Sequence, residues 1–198
     1  MKRKLFIELF LFIAFIAMVS GCNNAKKARE AAELDSLKQF YLVVKDSLDS
    51  TWNFMIAEDD LKLTFMKRLL EEITHSNSYD EETVNSLVSR IEDARLMRYD
   101  RQSMGNQNLI DEYDFAINSL IKEITALARS NARYQNFPSM AQLIEYIQET
   151  DERVLLHRVH YDFFAKDYNK FINEHGELAK EIDGGDPQNK VNLFQISE

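Results

Sequence analysis

The chain has 198 residues, of which 45% are hydrophobic and 29% charged, with 33 acidic side chains against 24 basic ones and a formal net charge of −9. That apolar share is enough for a packed interior and excludes a disordered stalk. The acidic balance argues against a nucleic-acid partner, because binding phosphates needs a basic surface.

The chain opens with Lys2, Arg3 and Lys4, continues through an apolar run from Leu5 to Val19 and closes that run with Val19-Ser20-Gly21-Cys22. Basic start, apolar middle and small-residue end are the three parts of a secretory signal peptide. The run is shorter than the ~20 residues a helix needs to span a bilayer core, and Glu8 interrupts it, so a cleaved signal is the better reading than a permanent span. Residues 19–22 resemble the lipobox of bacterial lipoproteins, an apolar residue and two small ones before a cysteine. The resemblance implies cleavage between Gly21 and Cys22, with lipid carried on the Cys22 thiol. Burying acyl chains is worth roughly 0.8 kcal/mol per methylene, and two or more chains give stable anchoring. Cys22 is the sole cysteine, so no disulfide forms within one molecule. Cleavage leaves 177 residues and removes the net +2 of Lys2, Arg3, Lys4 and Glu8, taking the charge from −9 to −11. Lys26, Lys27 and Arg29 then follow the anchor directly, where basic residues meet anionic headgroups.

Leu34, Leu37, Tyr41, Val44, Leu48, Thr51 and Met55 alternate in steps of three and four, one helical stripe. After Glu58-Asp59-Asp60 the rhythm resumes in shifted phase at Leu63, Met66, Leu70 and Ile73. A first helix over 25–74 is therefore expected, with a bend or phase slip at the acidic triplet, or alternatively a new cap at Asp59. Asp80 or Ser78 caps a second helix carrying Val84, Leu87, Ile91 and Ala94 and fading after Met97. Gly105 marks a joint, and Ile110, Ile117, Leu120, Ile124 and Leu127 mark a third helix, or the second half of one kinked helix. Pro138 suits a first helical turn, with Asn136 as its candidate cap. The fourth helix carries Leu143, Ile147, Thr150, Val154, His157, Tyr161, Ala165, Tyr168 and Ile172, and Gly176 loosens or ends it.

Long amphipathic elements with so little Gly and Pro pack as an all-α, antiparallel up-and-down bundle of four helices, or three if the second and third are continuous. The expected organisation is a signal peptide over 1–21, an anchor and short linker over 22–33, a bundle over 34–182 and an irregular tail over 183–198. Val191 to Ile196 are apolar enough to dock on the body.

The fourth helix resembles the LemA-type membrane-associated helical proteins through Thr150, Arg153, Arg158, Tyr161 and Tyr168-Asn169, with Leu143, Ile147 and Ile172 at matching apolar positions. Trp52 stands where that family tends to place a tryptophan. The sequence departs from the family at Thr64 to Leu70, which replace a proline-bearing segment, and at Asp162, where asparagine is usual. The resemblance implies an extracytoplasmic four-helix bundle tethered by its N-terminus, and it brings no catalytic residues.

Site chemistry is sparse. His157 and His160 lie three apart, a spacing that suits one metal ion, yet no third or fourth ligand accompanies them and His157 sits on the apolar stripe. Glu72 and His75 have the spacing of half a di-iron motif whose other half is missing. No nucleophile elbow or phosphate-cradling glycine loop is present. Tyr161, Phe163, Phe164, Tyr168 and Phe171 read as core and boundary packing. Arg153 is placed to pair with Glu149, and an arginine of this helix reaching a carboxylate on another would fix register. The expectation is a non-enzymatic lipoprotein of the bacterial cell envelope, held on a membrane through acylated Cys22, facing the periplasm and presenting a helical surface to an envelope protein, without metal or cofactor. The alternative is a binding module holding an apolar or envelope-derived ligand between helices.

Overall fold

A computed structural model describes residues 2–186 and 188–194, and for residues 2–25 the backbone alone. Four long helices follow one another: α1 (Lys2–His75), α2 (Glu81–Met97), α3 (Gln107–Ser130) and α4 (Pro138–Ile182), with short 3-10 turns at Ser103–Gly105 and Tyr134–Asn136. The described residues form an all-α bundle without strands.

α1 and α4 run antiparallel, in one register. Tyr41 stacks on Phe171, Trp52 meets Tyr161, Phe65 meets Tyr146, and Glu72 accepts a hydrogen bond from Ser139. The shorter α2 and α3 pack on the second half of α1, and α3 also reaches α4. One core runs through all four, with Met55, Met66, Leu69, Ile73, Ile91, Leu120, Ile124, Ile147 and Ala165 essentially inaccessible. Residues 26–36 of α1 are exposed all round. They form a helical spacer of about 16 Å at 1.5 Å per residue before the bundle begins.

Local chemistry sets the boundaries. α1 ends where Asn77 takes a left-handed conformation (φ 51°) and Ser76 caps back onto Ile73. Asn131 bonds both Ser76 Oγ and the Ser78 carbonyl, tying the two loops at that end together. Asp80 caps α2 by accepting from the Thr83 amide at 2.8 Å, and Asn106 does the same for α3 from Asn108. α4 departs from helical geometry at His175 (φ −135°, ψ 34°), one residue before Gly176, and ends on Gly184 and Gly185, both at positive φ.

Three expectations need correction. Asp59 starts no new helix, and α1 runs unbroken from Lys2 to His75 rather than from residue 25. The phase shift arises because α1 past residue 58 packs against α2 and α3 as well as α4, which rotates and widens its buried face. Of the two readings open for the second and third helices the structure gives two helices, divided at residues 98–106 by an Asp100 turn whose carboxylate accepts from the Gln102 and Ser103 amides. Asn136 does not cap α4. Pro138 forces the residue before it out of helical geometry, so Phe137 takes the cap position, without a side-chain hydrogen bond.

Candidate functional site

Cys22, the expected lipidation site, lies outside the described side chains, as does Gly21. Among the described residues no helix is long and apolar enough to cross a membrane.

The structure concentrates its polar chemistry in the middle of the bundle. Asp59, in the triplet that reads as a break, is only 2% exposed, and so is Lys62 one turn on. The Lys62 ammonium lies 2.9 Å from Asp59 and 3.0 Å from Asp151 of α4. The other oxygen of Asp59 accepts from Arg98, at the end of α2, and from the Tyr113 hydroxyl of α3. Arg98 also holds Asp60 at 2.8 Å. Asp59 and Lys62 together thus gather all four helices. Burial alone would push its pKa up, but Lys62, Tyr113 and Arg98 together outweigh that and hold it below the ordinary carboxylate range. A group so held stays ionised near neutral pH and has no proton poised for transfer.

A second link joins α4 to α3. Arg158 bonds both oxygens of Asp114 at 2.7 Å, and burial tends to lower its pKa while Asp114 more than compensates, so the guanidinium stays charged. It faces the rings of Tyr99 and Phe194 at 5.6 and 5.3 Å. Arg153 pairs with Glu58 of α1 at 3.0 Å as well as with Glu149 at 3.7 Å. Two arginines of α4 therefore cross to other helices and fix the register.

The C-terminal segment docks beside this link. Asn169 clamps Val191 from both sides, donating to its carbonyl and accepting from its amide at 2.8 Å each. The Phe194 amide donates to Asp162 at 2.8 Å. The Phe194 ring is 3% exposed among Trp52, Tyr99 and Tyr161. Gly105, expected as a joint, also lets the segment pass: a Cβ there would stand 2.8 Å from the Asn192 side chain. The Tyr161 hydroxyl and the Nε of Arg101 are buried without a hydrogen-bond partner, and both residues line the cleft between α4 and residues 188–192.

The remaining candidates are scattered. His157 is half-buried and stacks on Phe54 at 6.0 Å, with burial pushing its pKa down, while His160 is exposed. Glu72 bonds Ser139, and His75 is exposed. Among the described residues no group of three or more His, Cys, Asp or Glu side chains is placed to hold a metal ion. Phe163, expected at the core or its boundary, is 60% exposed, on an outer face of α4 shared with Leu155, Leu156 and Val159. Asp59, Lys62 and Asp114 carry no local signal for these pairings, and Phe194 carries only the apolar character of residues 191–196, which suggests docking but not the slot.

Fold and site together define an all-α bundle pinned by buried charges and closed by its own tail. Compared with protein-family patterns, curated proteins and solved structures, the chain finds no match.

Proposed function

We propose that this protein is a lipid-anchored lipoprotein of the bacterial cell envelope, of the LemA-type helical class, facing the periplasm and working as a non-enzymatic interaction or scaffold protein. The observation that carries the reading is the opening sequence, Lys2-Arg3-Lys4, the apolar run and Val19-Ser20-Gly21-Cys22. Acylation at Cys22 puts the exposed helix of residues 26–36 between membrane and body, as a stiff spacer. The body's polar groups are committed to holding helices together. Its outer faces keep large apolar side chains exposed on neighbouring positions of α1 and α4, including Phe54, Leu156 and Phe163. Such patches mark surfaces for contact with other proteins.

Affinity capture of the full-length protein from detergent-solubilised envelope tests the reading. A stoichiometric protein partner is the expected result. Recovery of the protein alone, or with a small apolar molecule retained in a native mass spectrum, would replace it with the ligand-binding alternative.

A further inference from the structure

We propose that the cleft beside α4 is a recognition site for an extended peptide of another protein, anchored by an aromatic residue, and that residues 188–194 are its internal, exchangeable occupant. The inference rests on the interaction reading above and names the chemistry of the partner.

Three features of the seat argue for exchange. Its short hydrogen bonds are to backbone: Asn169 takes both the amide and the carbonyl of Val191, and Asp162 takes the amide of Phe194, while the side chains of Gln188 and Lys190 add only longer bonds of 3.4 Å to Tyr168 and Asn173. Any extended non-proline residue satisfies such bonds, so they select conformation rather than sequence, as strand-adding grooves do. The selective element is one deep slot, where Trp52, Tyr99 and Tyr161 surround the Phe194 ring and Arg158 lies 5.3 Å from its centre. A single buried aromatic anchor inside a rim of polar contacts is how peptide interfaces concentrate their affinity. Finally, the occupant follows Gly184 and Gly185, at φ 80° and 106°, which turn the chain off the end of α4 at positions where a side chain would meet open space.

The chain's own segment also fits the seat incompletely. The Tyr161 hydroxyl and Arg101 Nε are buried donors left unpartnered, and they share their cleft with Asn192. A buried donor without an acceptor carries an unrecovered desolvation cost. The Asn192 side chain packs against Gly105, and a ligand whose carboxylate at this position, two residues before its aromatic anchor, turns instead toward the two donors supplies a charged acceptor. The partner peptide is therefore acidic-x-aromatic in an extended conformation. Tethering gives the tail an effective concentration of about millimolar, so a free peptide competes only by such a gain.

The test uses the full chain in detergent with fluorescein-labelled synthetic peptides of residues 186–198. Two variants open the seat by different routes: F194A empties the slot, and V191P removes the amide that Asn169 holds. Both are checked for retained helix by circular dichroism. Opened chains are expected to bind the peptide about 100-fold more tightly than the wild type, the margin a millimolar internal competitor imposes on a seat whose open form binds at about 10 μM. A peptide with Asn192→Asp is expected to bind several-fold more tightly still, and adding N169A to F194A to abolish binding. The proposal is overturned if neither folded variant takes up peptide, if wild type and variants bind equally, or if the wild type instead dimerises by exchanging tails. A partner captured from the envelope and not displaced by excess Asn192→Asp peptide would leave the interaction reading standing and remove this cleft from it.

Discussion

At the scale of single residues, Asp59 and Lys62 dominate. Both sit on α1, one turn apart, with almost no access to water. Taking two charges from water costs several kcal/mol each, and the cost is recovered only when every lone pair and proton finds a partner. Asp151, Arg98 and Tyr113 supply most of those partners from the other three helices, while Asp59 Oδ1 faces the Lys62 ammonium at 2.9 Å without a hydrogen bond. K62M removes the ammonium but leaves the carboxylate buried, and should cost about 3 kcal/mol in urea unfolding. The double variant D59N/K62M should regain most of that loss, because it also removes the stranded charge. Acid acts on the same group. Since the folded pKa of Asp59 is depressed, its contribution is fully present above the unfolded carboxylate value of about 4 and disappears as pH falls through the folded value. Calorimetric Tm should therefore hold nearly level from pH 7 to about 5 and drop below about 4. In D59N the acid drop should be shallower; an equal drop would place the sensitive group elsewhere.

At the scale of elements, the helices and most of their ends are legible in the sequence, because the causes are local. A period of 3.6, Asp80 as a cap and Pro138 at a first turn each act within a few residues. The polar centre and the slot that receives the tail are not legible, for the opposite reason. Asp59 lies 54 positions from Tyr113 and Lys62 lies 89 from Asp151. In a linear reading Glu58-Asp59-Asp60 is a charged interruption, and only the partners convert it into a core residue. Arg158 shows an intermediate case: the expectation that an arginine of this helix crosses to a carboxylate was available, but Asp114 as its recipient was not. Phe194 follows a Gly-Gly-Asp-Pro stretch with no periodicity, so apolar character alone suggested docking and nothing indicated the slot. That slot has a built-in reporter, since Trp52 is the sole tryptophan and stacks on Phe194 at 6.3 Å. F194A should lose about 3 kcal/mol of stability by emptying a buried aromatic site. Trp52 emission should shift to the red as water enters; unchanged emission would mean the tail does not close over Trp52 in solution.

At the scale of the whole molecule, the proposed function makes the design a body held at a distance. The pairing of α1 with α4 begins near Lys38, which reaches Glu181, and Tyr41, which bonds Asp183 at 2.5 Å. Residues 26–36 before that point are exposed and carry Lys26, Lys27 and Arg29 toward the N-terminus. A helix of this kind transmits the position of its anchor rigidly, which a Gly/Ser-rich linker would not do. The same body without an anchor would be an acidic bundle free to diffuse. Every functional statement made for the protein, including the presentation of its outer faces and of the cleft beside α4, therefore depends on what happens at Cys22.

The most direct measurement is an intact mass of the protein extracted from its native envelope, followed by fragmentation of the N-terminal peptide. The account predicts a chain beginning at Cys22, heavier than its sequence by a diacylglyceryl group and amide-linked acyl chain confined to that residue. A chain retaining Met1, or one beginning at another residue with the Cys22 thiol free, would contradict it.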